Sequence, residues 1–261
     1  MDTFEQAGQT ARPTPTATGP DTSQTRFPAS LANVRQVGGI AAGSATVRPG
    51  VLFRSAAPHH VDEAISGWVA QAGITRIFDL RSDFEARRVN GFPETSGAAV
   101  RTRLPLLEGA FAPGGQLPSL EELYLPLVLE HAPVWTRIAD EVAGNRHSTL
   151  VHCTAGKDRT GVAVALLLLA VGAERDAVFE DYAASTAALS GAWLDSMREQ
   201  ITQAGLRVDE KMVEMMVGTS VPGLDRALRR VEERHGSAAD YLLAGGLAPQ
   251  RLEALGERLL S

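Results

Sequence analysis

Short apolar runs alternate with helical patterns along the first part of the chain. Three runs have the length, β-branched residues and flanking turn signals of strands, at 51–54, 74–80 and 149–153, and a further strand is predicted at 99–106. The apolar spacing from Pro58 to Ala72 is instead typical of a helix. Strands separated by helices pair most economically in parallel, so we predict an α/β fold with a central, largely parallel sheet flanked by helices.

Helical patterns dominate the second half of the chain and predict a helix-rich C-terminal half. Within 119–142 the leucine spacing is helical, and Pro126 and Pro133 favour two helices over one. The apolar run at 162–173 is shorter than the roughly 20 residues that span a bilayer, so it predicts a buried core helix and not a transmembrane segment. Further helices are predicted at 83–92, 174–189, 191–204, 208–218, 222–235 and 248–260.

The composition is that of an ordinary globular protein. Of the 261 residues, 44% are hydrophobic and 21% are charged, which excludes wholesale disorder and fibrous structures. Residues 1–28 are polar and rich in Thr, Pro and Gln, so we expect a disordered tail followed by one domain at 29–261. A loop rich in Gly and Pro is predicted at 108–118. No N-terminal signal-peptide pattern is present, so we expect a cytoplasmic protein, or one exported without a recognisable signal.

The charge balance argues against one large class of partner. The chain has 25 basic and 31 acidic residues, a net charge of -6, whereas duplex binding depends on many cations that neutralise phosphates. We therefore expect no nucleic-acid partner, and an anionic ligand must meet a local positive potential. The single cysteine, Cys153, cannot form an internal disulfide, so its role must follow from its neighbours.

The segment VHCTAGKDRTG, at 151–161, places Cys153 six positions before Arg159, between an apolar strand and an apolar helix. A loop of this length can curl so that its backbone N–H groups surround a tetrahedral dianion, and the helix N-terminus adds a positive end. Gly156 permits the close approach of the backbone, and Arg159 adds a planar fork for two oxygens. These dipoles and cations favour thiolate over thiol. The pattern predicts a phosphate-binding loop with a nucleophilic cysteine.

A thiolate beside a bound phosphoryl group predicts phosphoester hydrolysis in two steps. Cys153 attacks phosphorus to form a cysteinyl-phosphate, which water then hydrolyses while Arg159 and the loop amides stabilise the charge. The reaction needs no metal and no cofactor. Residues 59–63 include metal-ligand types, but a turn before a helix supplies such residues routinely. The residues predicted to bind the phosphoryl group are Thr154, Ala155, Gly156, Lys157 and Thr160.

This loop resembles the signature of a known enzyme superfamily. HCTAGKDRTG, at 152–161, is similar to the motif of the protein tyrosine phosphatases, and its Lys-Asp-Arg ending is similar to that of a bacterial branch. NVRQVGG, VLFRSA, FDLRS and ERHGSAADYLLAGGL resemble further stretches of that branch, so the resemblance extends over about 31–260. It implies a tyrosine phosphatase fold, a cysteine-dependent phosphatase acting on phosphotyrosine, and a helical lid within 182–220.

The acid that protonates the leaving group has two candidates. No tryptophan is followed by Pro-Asp, so the acid loop of many tyrosine phosphatases is absent. The resemblance implies Asp158, inside the loop; an interaction with the helix dipole would also explain this residue. Asp79, at the carboxyl end of a predicted strand, is the second candidate, because α/β sheets bind ligands beside such ends. Pairing with Arg81 or Arg54 would explain Asp79 equally well.

The residues leave other functions open. Lys157 adds a second cation to the loop, which favours a phosphoinositide phosphatase as the main alternative. Phosphoserine and phosphothreonine are further candidate substrates. A pseudoenzyme that only binds phosphate would not require the intact set of Cys153, Asp158 and Arg159. A rhodanese-like or arsenate-reducing loop is disfavoured, because no second cysteine is present to resolve a reduced intermediate.

Overall fold

The computed structural model describes residues 26–108, 119–203, 205 and 207–261. Most of the predicted tail at 1–28 and of the predicted loop at 108–118 therefore lies outside the described residues. Within the described residues the strands are β1 (Arg35–Val37), β2 (Ala41–Ala42), β3 (Ala45–Thr46), β4 (Leu52–Ala56), β5 (Ile74–Asp79), β6 (Thr95–Ser96), β7 (Ala99–Arg103) and β8 (Ser148–Cys153).

Six of these strands form one sheet in the order β1-β4-β8-β5-β7-β6. The central strands β4, β8, β5 and β7 are parallel, and β1 and β6 pair antiparallel at the two edges. Strands β2 and β3 form a separate antiparallel ribbon. Because β8 lies between β4 and β5, the carboxyl ends of three parallel strands meet at one edge, where α/β proteins bind their ligands.

The apolar runs of the central strands are buried on both faces of the sheet. Leu52, Phe78 and Val151 belong to one hydrophobic cluster, whereas Phe53 and Leu150 belong to another. Neighbouring residues of a strand point to opposite faces, so burial on both sides requires a continuous apolar run instead of an alternating one. This requirement makes the central strands recognisable in the sequence.

Within the described ranges the helices are α1 (Glu63–Gln71), α2 (Asp83–Arg88), α3 (Leu120–Glu130), α4 (Ala132–Gly144), α5 (Asp158–Ala170), α6 (Arg175–Ala183), α7 (Ser185–Leu189), α8 (Ala192–Gln203), α9 (Glu210–Val217), α10 (Val221–His235), α11 (Ala238–Ala244) and α12 (Pro249–Leu259). Helix α5 is central, because its residues from Arg159 to Leu168 are all buried. Helices α3, α4, α6 and α11 pack around it, and α1 packs on the other face of the sheet. The predicted fold class is confirmed.

No helix in the described part of the chain is both long enough and apolar enough to span a membrane. The apolar run predicted at 162–173 lies largely in α5, which is buried from Arg159 to Leu168. Burial in the core therefore accounts for its apolar composition.

The first helix is shorter than predicted because a capping residue sets its start. Helix α1 begins at Glu63 and not at Pro58. The Asp62 carboxylate accepts a hydrogen bond from the Ile65 amide at 2.8 Å and so caps the first turn. Residues 58–62 therefore form an irregular connection from β4 to α1.

The two prolines that predicted a break between two helices have different positions in those helices. The segment 119–142 forms two helices, as predicted, but Pro126 lies inside α3 without ending it. The break falls at His131, which ends α3 and precedes α4. Pro133 lies in the first turn of α4, where the missing N–H of proline has no intrahelical partner to lose.

The sequence pattern missed the shortest elements. Strands β1, β2, β3 and β6 have two or three residues each, which is too few to show a period. Helix α11 adds seven residues outside the predicted helices. The predicted helix at 174–189 is divided at Ala184 into α6 and α7.

Candidate active site

The predicted phosphate loop connects β8 to α5 at the carboxyl edge of the sheet. Cys153 is the last residue of β8 and Asp158 the first of α5. Cys153 is 1% exposed. At Gly156 the backbone φ is +65°, and a Cβ there would lie 2.1 Å from the Ser55 carbonyl oxygen. Only glycine fits this position, so the loop packs directly against the end of β4.

Two side chains bind the carbonyl groups of the loop from outside. The Asn33 amide nitrogen donates to the carbonyl oxygens of Ala155 at 2.9 Å and Gly156 at 3.1 Å. Arg54 donates to the carbonyl oxygens of Gly156 at 2.8 Å and Lys157 at 3.3 Å. In a trans peptide the C=O and the following N–H point in opposite directions. The amides that follow these carbonyls therefore point away from Asn33 and Arg54, as a nest for an anion requires.

A carboxylate on α6 balances the arginines behind the loop. Asp181 accepts hydrogen bonds from Arg54 at 2.5 Å and from Arg35 Nε at 2.8 Å. Arg35 also donates to the side-chain oxygen of Asn33 at 2.5 Å. Burial opposes the charge of Asp181, but Arg54 and Arg35 outweigh it and lower the pKa of Asp181. The two arginines are thus paired, and Arg35 in turn orients the Asn33 amide that binds the loop.

Glu85 of α2, which the sequence analysis did not single out, holds Arg159 in one orientation. The two terminal nitrogens of Arg159 donate to the two carboxylate oxygens of Glu85 at 2.5 and 2.7 Å. Glu85 also accepts from the Thr154 hydroxyl at 2.5 Å and the Ser82 amide at 2.9 Å. Burial opposes the charge of Glu85, but Arg159 and these hydrogen bonds lower the pKa of Glu85 to about 2. The planar fork of Arg159 is therefore fixed beside the loop.

Asp158 contacts a buried tyrosine. The Tyr124 hydroxyl of α3 donates to Asp158 Oδ1 at 2.6 Å, and Lys157 Nζ lies 3.6 Å from Oδ2. The Tyr124 hydroxyl also contacts the hydroxyl of Tyr182, which accepts from the Ser220 amide at 2.9 Å. Burial, followed by the charge of Asp158, raises the pKa of Tyr124 well above its usual value, so the hydroxyl stays a donor. The Asp158 side chain remains 17% exposed.

Asp79, the second candidate for the acid, lies in a buried ion cluster. Arg81 binds both of its carboxylate oxygens, at 2.9 and 2.8 Å, and Arg101 lies 3.2 Å from one of them. Asp79 is 0% exposed. Despite this burial, His152, which is charged only at acid pH, and Arg81 hold the pKa of Asp79 well below its usual range. The pairing with Arg81 that the sequence allowed is thus present, and it keeps the carboxyl ionised.

Lys157 is not a free cation of the loop, which corrects the expectation behind the phosphoinositide alternative. Its side chain is 0% exposed, and Nζ donates to the carbonyl oxygens of Met215, at 2.9 Å, and Gly218. These carbonyls lie at the C-terminal end of α9. The last carbonyls of a helix lack intrahelical partners and attract cations. Lys157 therefore ties α9 to the phosphate loop.

The other polar side chains next to Cys153 are buried. His152 Nδ1 lies 3.4 Å from the Cys153 carbonyl oxygen, and burial lowers the pKa of His152 to about 4, so the ring is neutral at pH 7. Thr160 Oγ1 has no hydrogen-bond partner among the described residues. The described residues contain no group of three or more His, Cys, Asp or Glu side chains that could hold a metal ion.

The residues missed by the sequence analysis brace the loop from distant parts of the chain. Ser82 and Glu85 match the capping-box pattern Ser-x-x-Glu and do form it, but that pattern indicates a helix start and not an arginine partner. Asn33 lies in a stretch that resembles the phosphatases. Tyr124 and Asp181 carry no local signal, because the groups they bind lie on other elements.

A cysteine at the end of a central strand, followed by a loop whose carbonyl groups are bound from outside and by an arginine fixed by a carboxylate, is typical of the class of cysteine-dependent phosphoester hydrolases. Sequence comparison leads to the same class. The profile described as the tyrosine phosphatase family matches residues 28–261. The match covers most of the chain, which therefore belongs to the tyrosine phosphatase family.

Individual relatives are similar over most of their length. Triple specificity protein phosphatase PtpB of Mycobacterium tuberculosis is 29% identical over 249 residues, which cover 80% of this chain and 90% of PtpB. A Cupriavidus necator protein, provisionally named a tyrosine-protein phosphatase, is 29% identical over 235 residues, covering 82% of this chain and 81% of its own. The solved structure of P. aeruginosa TpbA with pTyr is 13% identical, with a TM-score of 0.35, and the match covers 60% of this chain and 90% of TpbA.

Proposed function

We propose that the protein hydrolyses phosphotyrosine through a cysteinyl-phosphate at Cys153. The Cys153 thiolate attacks phosphorus, the bond from phosphorus to the tyrosyl oxygen breaks, and Asp158 gives its proton to that oxygen. Water then attacks the cysteinyl-phosphate and passes a proton to Asp158, which releases inorganic phosphate and restores the thiolate. The amides of 154–159 and the fork of Arg159 bind the phosphoryl oxygens throughout.

The observation that carries the proposal is the hydrogen bonding of the loop. Asn33 and Arg54 bind its carbonyl oxygens from outside, so the following amides point toward the opposite side. A dianion held by those amides would lie at the N-terminus of α5 and beside Cys153, where attack on phosphorus needs little rearrangement.

Three observations support Asp158 over Asp79 as the acid. Asp158 belongs to the phosphate loop and keeps part of its carboxyl exposed, whereas Asp79 is fully buried. Arg81 binds both oxygens of Asp79. The low pKa of Asp79 means that it carries no proton to donate at neutral pH.

We propose phosphotyrosine as the preferred substrate and phosphoinositides as poor ones. The phosphoinositide alternative needs Lys157 as a cation that faces the ligand, but this side chain is buried against the carbonyl groups of α9. The name of the M. tuberculosis relative, a triple specificity phosphatase, supports including phosphoserine and phosphothreonine as slower substrates.

We propose further that α8 and α9 form the lid expected within 182–220. Neither helix contains a buried residue, so little packing holds them in place. Lys157 ties the end of α9 to the phosphate loop, and Gln200 of α8 lies 3.2 Å from His59 in the connection that follows β4. The pair of helices thus touches the loop and its surroundings on two sides while contributing little to the core.

The proposal is tested by phosphate release from phosphotyrosine, phosphoserine and phosphothreonine peptides and from phosphoinositide vesicles. We expect the phosphotyrosine peptide to be the best substrate, and Cys153→Ser to abolish turnover while the loop still binds vanadate. A serine variant within tenfold of the parent would refute the covalent mechanism. A preference of the parent enzyme for phosphoinositides would refute the substrate assignment.

The acid is tested separately with two leaving groups. Asp158→Asn is expected to slow hydrolysis of a phosphotyrosine peptide by about 100-fold, but hydrolysis of an activated nitrophenyl phosphate by less than about tenfold, because a good leaving group needs little protonation. Asp79→Asn is the matched control and is expected to lower both rates equally. The reverse pattern would assign the role of acid to Asp79.

A further inference from the structure

A second group of arginines surrounds an open cavity between α2 and β7. Its volume is about 420 Å³, and its lining residues are Asp83, Ala86, Arg87, Asn90, Arg101 and Arg103. Three guanidinium groups thus face one carboxylate, which leaves two positive charges in excess. Neither the phosphate loop nor any residue assigned to catalysis lines this cavity.

The neighbouring carboxylates do not cancel this excess. Asp79 lies 3.2 Å from Arg101 and 4.0 Å from Arg103, but Arg81, which is not a lining residue, binds both of its oxygens, so the charges of Asp79 and Arg81 offset each other. Glu108 accepts a hydrogen bond from the Asp83 amide, but it is exposed and lies outside the lining, so solvent screens its charge. The stretch 109–118 that follows Glu108 contains no ionisable side chain. This stretch therefore adds no charge that could lower the positive potential of the cavity.

Two of the three guanidinium groups are held in place before any ligand binds. Arg103 donates to Asp83 at 2.6 Å and to the carbonyl oxygen of Arg81 at 3.2 Å, and Arg101 donates to Asp79 at 3.2 Å. The Nε atoms of Arg101 and Arg103 are buried without a hydrogen-bond partner among the described residues. Groups that are already ordered lose little entropy when they bind a ligand.

Arg87 completes the cavity as an exposed third cation. It is exposed on α2, and its side chain makes no hydrogen bond or ion pair with the described residues. Arg88, the next residue, is also exposed but packs over the Phe84 ring, 4.2 Å from its centroid, and does not line the cavity. The chain thus offers a neighbouring arginine as a matched control.

We propose that this cavity is a second anion site and binds a phosphoryl group. Two excess positive charges match a phosphate dianion, whereas a single carboxylate would leave one of them uncompensated. Guanidinium groups also match the geometry of phosphate oxygens through paired hydrogen bonds. The group belongs either to a substrate that carries a second phosphoryl group or to the inorganic phosphate that the reaction releases, and the first source rests on the proposed function.

The geometry of α2 sets the distance between the two anion sites. Glu85 contacts the phosphate loop, whereas Asp83, Ala86 and Arg87 line the cavity. Residues two apart are about 200° apart around the helix axis, so Glu85 and Arg87 lie on nearly opposite sides of a helix that is about 10–12 Å across with its side chains. An extended peptide advances about 3.4 Å per residue, so about three to four residues are needed to span the two sites, and four span the larger distance.

The first experiment measures binding of tungstate, a phosphate analogue, by calorimetry and locates it in crystals by anomalous scattering. We expect two sites in the parent, one at the phosphate loop and one among Arg87, Arg101 and Arg103. Arg87→Gln should weaken the second site by about tenfold, the loss of one charged hydrogen-bond donor, while Arg88→Gln should leave both unchanged. A single site at the phosphate loop in the parent, or an equal loss in both variants, would overturn the proposal.

The second experiment distinguishes the two sources of the phosphoryl group. Phosphotyrosine peptides with a phosphoserine four residues away are compared with peptides in which the spacing is one residue, too short to reach the cavity. If the second site binds the substrate, KM should be about fivefold lower for the peptide with the longer spacing, with kcat unchanged. Arg87→Gln should lose this difference in KM, and Arg88→Gln should keep it. A second tungstate site without this KM difference assigns it to inorganic phosphate. Turnover of the singly phosphorylated peptide tests the proposed function independently.

Discussion

The phosphate loop and the α8–α9 pair are held to the molecule in opposite ways. Buried ion pairs and carbonyl contacts from Asn33, Arg54 and Glu85 fix the loop and its arginine. Helices α8 and α9 have no buried residue, and the Lys157 side chain ties α9 to the loop. Segments with few buried contacts open at a low free-energy cost, whereas a buried polar network opens only with the core. We therefore expect the frame around the loop to be rigid and the proposed lid to move independently of it.

The largest expected effect is on the stability of the fold, at the buried carboxylate of Asp79. Asp79→Asn leaves Arg81 and its neighbours without their counter-charge, so we expect a loss of about 3–5 kcal/mol in the free energy of unfolding. Urea denaturation followed by circular dichroism measures this loss. Asp83→Asn is the control, because its side chain is 51% exposed and its ion pair with Arg103 contributes at most about 1 kcal/mol. Equal effects of the two substitutions would contradict a buried ionic frame.

The second effect is on catalysis, through the orientation of Arg159. Glu85→Gln is expected to lower kcat/KM by about 100-fold, comparable to the loss of one donor to the transition state. Glu122 is the control, because it closes the same capping box at the start of α3 but holds no arginine of the loop. Glu122→Gln should leave kcat/KM within about twofold of the parent. If both variants lose activity alike, Glu85 contributes only by capping α2 and not by orienting Arg159.

Glu85 also predicts a dependence of stability on pH. Its pKa is lowered from 4.5 to about 2 by folding, so the ionised form stabilises the folded state fully above pH 4.5. This contribution, on the order of 3 kcal/mol, is lost as the pH falls from 4.5 toward 2. The free energy of unfolding, measured across this range, should therefore depend more steeply on pH for the parent than for Glu85→Gln. Parallel curves would exclude the pairing with Arg159 as the cause.

A smaller effect is expected at the tie between the loop and α9. Lys157→Met removes the donor to the Met215 and Gly218 carbonyl groups, so amides in α9 should exchange hydrogen about tenfold faster while those in α10 keep their rates. Lys211→Met is the matched control, because Lys211 is the other lysine of the chain and is exposed on α9. If the Lys157→Met variant shows unchanged hydrogen-exchange rates in α9, other contacts hold α9 in place.

The smallest effect is expected within α8 itself. Met197 is only half-buried, so Met197→Ala should cost less than about 1 kcal/mol, whereas truncation of a fully buried residue such as Leu166 of α5 should cost about 2–5 kcal/mol. Chemical denaturation of the two variants gives the comparison. A loss at Met197 as large as that at Leu166 would place α8 in the core and contradict the proposal that it is part of a lid.

Features that depend on neighbouring residues could be predicted from the sequence. The central strands are continuous apolar runs, because both of their faces are buried, and α5 is apolar all round for the same reason. Cys153, Gly156 and Arg159 lie within seven consecutive residues, so the chemistry of the loop is visible as a motif. The short edge strands and the start of α1 were harder to predict. The edge strands depend on hydrogen bonds to a neighbouring strand, and the start of α1 depends on its capping side chain, Asp62.

The sequence by itself determined the class of fold, the position of the phosphate loop and the family to which the chain belongs. Tertiary structure alone decided which groups brace that loop, because the partners are far apart along the chain: 123 residues separate Asn33 from Gly156, and 74 separate Glu85 from Arg159. It also decided the state of Lys157, which as a charged loop residue would be expected in solvent but is buried against carbonyl groups 58 and 61 residues away. A local pattern shows which residues can bind an anion. Whether each is available to do so depends on the partners that the fold brings to it.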